Sequence, residues 1–101
     1  MSKQLVGLES INNDVLRITS KFLDRVEFRG TSAIELARLI NLTKDPEILK
    51  QNLDERTLKL LISALESSSG FGSESLDWVY VYTVYIDIYE QNYLNREQQN
   101  E

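Results

Sequence analysis

An all-α domain is predicted, a single compact bundle of about five helices closed by a long Tyr-rich C-terminal helix. Three observations carry this. Apolar residues recur at intervals of three and four along most of the chain. Helix-start signals stand at Ser32, Asp45 and Asp54. The 101 residues, 42% of them hydrophobic, suffice for one core and not for two. Residues 1–101 are therefore read as one domain with frayed tails at about 1–6 and 96–101.

The first element is expected over Leu8 to Phe28, where Leu8, Ile11, Val15, Ile18, Phe22 and Val26 keep a helical period and Gly30 offers an αL stop. Ser32 with Glu35 forms a capping box ahead of Ile34, Leu36, Ala37, Leu39 and Ile40, in a helix ending near Leu42. Asp45-Pro46-Glu47 supplies an N-cap, a proline at the first helical position and an acid in the first turn of a short helix to about Asn52. Asp54 caps the next helix, whose Leu58, Leu61, Ile62 and Leu65 share a face, and which fades into Ser67-Ser68-Ser69-Gly70. The core is expected from Leu8, Ile11, Val15, Ile18, Phe22, Leu36, Ile40, Leu58, Leu61, Leu65, Val81, Val84 and Ile88.

Trp78 to Tyr89 is ambiguous, because every residue of WVYVYTVYIDIY except Asp87 is β-branched or aromatic, a composition that favours strand. Yet no other segment reads as a strand, so the backbone of a lone one would lack partners. Placed on a wheel at ~100° per residue, Thr83, Asp87, Glu90 and Gln91 gather in one polar arc. Val81, Val84 and Ile88 flank one side of a ring stripe formed by Trp78, Tyr82, Tyr85, Tyr89 and Tyr93; Val79 and Ile86 flank the other. A helix from about Glu74 to Asn95 follows. Its apolar arc is roughly twice the ~100° stripe of an ordinary surface helix, so either neighbours cover it on two sides or part of it meets another chain.

The chain has no His and no Cys, which removes the imidazole base, the thiolate nucleophile, the disulfide and ordinary zinc or haem ligation. Asp45, Glu47, Asp54 and Glu55 are explained as caps and dipole partners, and no phosphate-cradling glycine motif occurs. No catalytic residue, metal site, cofactor or small-molecule substrate is therefore expected. Ser32 to Asn52 resembles a helix-turn-helix, which would make the protein a DNA-binding regulator. Asn41 stands where such motifs have glycine, however, and Asp45 and Glu47 open the would-be reading helix. No segment reaches the ~18–20 apolar residues of a membrane span and no leader is visible, so a cytoplasmic location is expected.

Net charge is −5, and it is uneven: residues 1–65 hold ten Lys and Arg against nine Asp and Glu, while residues 66–101 hold Arg96 against seven acids. An acidic last helix repels nucleic acid and attracts a basic protein patch. The expected role is a non-catalytic protein-binding module, a small regulator, inhibitor or adaptor; a structural subunit of a larger assembly is a further reading. The candidate partner-binding residues are Trp78, Tyr82, Tyr85, Tyr89 and Tyr93 with Asp87 and Glu90, since Trp and Tyr dominate binding hot spots. Arg17, Lys21, Arg25 and Arg29, at four-residue steps, form a second candidate patch, either for an acidic partner or for the last helix of a second copy in a homodimer.

Overall fold

In the computed structural model, which describes residues 5–94, five α-helices follow one another. They are α1 (Asn13–Leu23), α2 (Ser32–Leu42), α3 (Pro46–Asn52), α4 (Glu55–Ser67) and α5 (Ser75–Tyr89). One 3-10 turn, Leu8–Ser10, precedes α1, another, Gly72–Glu74, leads into α5, and a π-helical turn, Glu90–Leu94, continues α5. The described residues contain no strand, so the β-branched run is helical, as the wheel requires and propensity does not. α5 lies against both α1 and α4. The buried centre is made by Val15 and Phe22 of α1, Leu58, Leu61 and Leu65 of α4, and Val81, Tyr85 and Ile88 of α5.

Capping chemistry sets three of the helix starts. Asn12, Asp45 and Asp54 hold extended backbone and accept from the amides of Val15, Glu47 and Thr57 at 2.9, 2.8 and 2.8 Å, which satisfies donors that have no intrahelical partner. These hydrogen bonds hold the Asp54 carboxyl below the usual range. Ser32 does not cap α2. Turns closed by Ala33 N–H to Gly30 O and Ile34 N–H to Thr31 O start the coil before it, so its hydroxyl instead pairs with the backbone of Arg29.

The first helix is shorter than its periodicity suggests. α1 begins behind the Asn12 cap and ends at Leu23, where Arg25 N–H and Val26 N–H bond to the carbonyls of Phe22 and Leu23 and tighten the chain out of the helix. Leu8 and Ile11 reach the core from the turn before α1 and Val26 packs against it from beyond, so the apolar period outlasts the coil. Gly30 is left-handed at φ 58°, but in the turn entering α2. Leu36, Ile40 and Val84 are only partly buried. Leu16, Leu23, Leu39, Leu42, Leu49, Leu53 and Tyr85 complete the core instead. Val6 of the expected N-terminal tail is tied down: its N–H donates to Asn92 Oδ1 at 2.7 Å, and Asn92 Nδ2 donates to its carbonyl at 2.9 Å. Asn95 and the remainder of both expected tails lie outside the described residues.

Candidate partner-binding surface

Three rings of the stripe, Trp78, Tyr82 and Tyr89, turn toward α4. Trp78 Nε1 donates to Leu65 O at 2.9 Å, Tyr82 OH to Glu66 Oε2 at 2.5 Å and Tyr89 OH to Glu55 Oε2 at 3.4 Å, so each ring lays its body on α4 and its polar tip on an α4 acceptor. Trp78 stacks on Tyr82 with centroids 4.4 Å apart, and Tyr89 and Tyr93 stand 5.5 Å apart. These four are half-buried against the core. The hydrogen bond from Tyr82 to Glu66 raises its pKa.

Tyr85 leaves the candidate surface altogether. It is 0% exposed, and its hydroxyl lies 2.8 Å from Thr19 Oγ1 of α1. Thr19 also donates to Val15 O at 2.6 Å, and a hydroxyl has one hydrogen, so Tyr85 is the donor in the contact between them. Burial pushes the Tyr85 phenol well up. Asp87 and Glu90, the acidic members of the candidate set, do face solvent.

The four basic residues do not form a free row. Arg17 pairs with Asp14 at 3.1 Å, and α1 ends before Arg25 and Arg29. Lys21 and Arg25 both bind Glu74: Lys21 Nζ lies 2.8 Å from Oε2, and Arg25 grips both carboxylate oxygens through its two guanidinium nitrogens. Glu74 further accepts from Phe71 N–H at 3.0 Å, so one carboxylate ties α1 to the turn that opens α5. Arg25 first, then Lys21 and the Phe71 amide, hold this carboxyl far below its ordinary range. Arg29 remains exposed. In the segment resembling a helix-turn-helix, Lys50 lies 3.6 Å from Glu47, and Lys44 is exposed.

What α5 and the loop before it present to solvent is a different apolar set. Leu76 is 82% exposed, Phe71 76%, Val79 51% and Tyr80 44%. Leu76, Val79 and Tyr80 stand at i, i+3 and i+4 and so form one ridge on the first turns of the helix. Two grooves flank it, with Val79 a wall of both. One, of about 300 Å³, runs beneath Phe71 beside Phe22 and Trp78. The other, of about 360 Å³, lies between α5 and the Gly7–Ser10 turn, with Glu9, Tyr80, Val84 and Asp87 on its walls. The second groove exists because Gly7, left-handed at φ 89°, brings the N-terminal turn against Ile88 and Gln91. Wheel arithmetic carried a signal for this surface: Leu76 and Tyr80 fall on the polar arc with Thr83 and Asp87, where an apolar side chain has no neighbour to cover it.

Among the described residues no group of three or more metal-ligating side chains gathers, and no helix is long and apolar enough to cross a membrane. No protein-family model, curated protein or solved structure matches this chain.

Proposed function

We propose that the protein is a non-catalytic binding module, a small acidic regulator or adaptor of the cytoplasm that docks on a larger protein through the outer face of α5. The observation supporting this is the exposed ridge of Leu76, Val79 and Tyr80 with Phe71 beside it. Single exposed apolar residues are ordinary, whereas an adjoining set on one helix face is the usual mark of a surface that another protein covers. The ring stripe assists indirectly, because its packing on α4 fixes the direction in which the ridge points.

Leu76→Ser/Val79→Ser tests the reading, since both side chains are exposed and their loss leaves the buried core intact. The wild-type protein, tagged and returned to its native source, is expected to retain a partner that the double variant loses while its circular dichroism and melting temperature stay unchanged. Recovery of the same partner by both proteins overturns the assignment of this face.

A further inference from the structure

The partner's chemistry can be read from the walls around the ridge. Resting on the docking reading above, we infer that the outer face of α5 receives a basic amphipathic helix, one of whose Lys or Arg side chains enters the groove between α5 and the Gly7–Ser10 turn. The argument is charge complementarity over an apolar strip. Between Lys59 and Leu94 the sequence contains no Lys or Arg, so α5 and its flanks display only acids. Glu74 is paired with Lys21 and Arg25, whereas Glu66 accepts from the Tyr82 hydroxyl and keeps its charge.

Glu9, Asp77, Asp87 and Glu90 are exposed and have no side-chain hydrogen bond or ion pair among the described residues. Glu9 and Asp87 line the same groove, whose apolar wall is Val79, Val84 and Ile88. A Lys or Arg stem suits such a wall, with its cationic head between two carboxylates. The ridge at Leu76, Val79 and Tyr80 has the spacing over which a second helix can pack its own apolar row.

Other occupants fit less well. Nucleic acid and anionic lipid are repelled by the same acids. A second copy paired face to face through α5 would oppose two surfaces that both carry Glu9, Asp77, Asp87 and Glu90, with no Lys or Arg between Lys59 and Leu94 to offset them. An α1 surface on another copy would bring Lys21 and Arg25 already neutralised by Glu74.

Titration of the isotope-labelled full chain with two synthetic helical peptides tests the inference. Both carry the same Leu-rich face; the opposite face of one holds Lys and Arg, and that of the other holds Glu. The basic peptide is expected to bind and to shift the amide signals of Glu9, Val79, Tyr80 and Asp87, with the acidic peptide silent. Glu9→Gln/Asp87→Asn is expected to weaken the basic peptide by about two- to fivefold for each charge removed, and added salt to weaken it further. Equal binding of both peptides, or indifference to Glu9→Gln/Asp87→Asn, overturns the basic-helix inference.

The two readings fail separately. If a native partner is lost with Leu76→Ser/Val79→Ser while neither peptide binds, the basic helix is refuted and the docking face stands. If that variant keeps its partner, the docking face itself is refuted. Concentration-dependent dimers in light scattering, abolished by Leu76→Ser/Val79→Ser, assign the face to a second copy and overturn the inference.

Discussion

The buried contact between Tyr85 and Thr19 makes an asymmetric prediction. Tyr85 OH donates to Thr19 Oγ1, and Thr19 spends its own hydrogen on Val15 O. Tyr85→Phe therefore removes a donor and leaves no buried hydrogen unpaired, because Thr19 keeps its bond to Val15. The expected cost is that of one ordinary hydrogen bond, about 0.5–1.5 kcal/mol. Thr19→Val takes away the acceptor and strands the phenolic hydrogen where both residues are fully buried, which costs about 1–3 kcal/mol. The double variant replaces both partners with apolar groups of similar shape, so it is expected to be more stable than Thr19→Val alone. Urea unfolding followed by the fluorescence of Trp78 and by far-UV circular dichroism measures all four proteins. If Tyr85→Phe proves as costly as Thr19→Val, the assigned direction of the hydrogen bond is wrong; if the double variant costs the sum of the singles, the bond itself is refuted.

Two further outcomes follow from named contacts. The carboxyl of Glu74 is depressed from an ordinary value of 4.5, so the stability it contributes is fully present above that value and is lost as pH falls through its lowered value. The urea midpoint of the wild-type protein should fall more steeply below about pH 5 than that of Glu74→Gln, and parallel profiles would refute the tie that Glu74 makes between α1 and the turn opening α5. Asn92→Ala removes the two-way clasp on Val6, at about 0.5–1.5 kcal/mol for each hydrogen bond, and should expose the Val6 amide to rapid hydrogen exchange while α4 amides stay protected; an unchanged Val6 rate would refute the clasp.

The architecture was legible where the signal was local. Asp45 and Asp54 cap as their spacing implies, because an N-cap needs only its own side chain and an amide two or three residues on. Ser32 failed by the same logic. Its capping box was present in the letters, but the turn at Gly30 and Thr31 had already begun the coil, so the residue sits inside the first turn. The apolar period outruns the first helix because Leu8, Ile11 and Val26 face the core from outside the α-helix, and burial alone keeps a three-four rhythm.

The proposed docking surface is less legible in the sequence, for a geometric reason. A wheel assigns residues to arcs but does not say which arc a neighbour occupies. The ring stripe and the flank of Val81 and Ile88 both had to be covered, and they are: α4 accepts the polar tips of Trp78, Tyr82 and Tyr89, Tyr85 meets Thr19 of α1, and Val81 and Ile88 are buried. Covering them from two sides leaves for solvent the polar arc of α5, where Leu76 and Tyr80 stand among Thr83, Asp87 and Glu90, together with its edge at Val79. Because these apolar side chains are exposed, they contribute little to folding, and replacing them should leave stability almost unchanged. The half-buried rings have no such separation: removing Trp78 or Tyr82 would disturb both the α4 seam and whatever docks beside it. A binding assay on the Leu76 and Val79 side chains therefore reads recognition, whereas the same assay on the rings reads recognition and packing together.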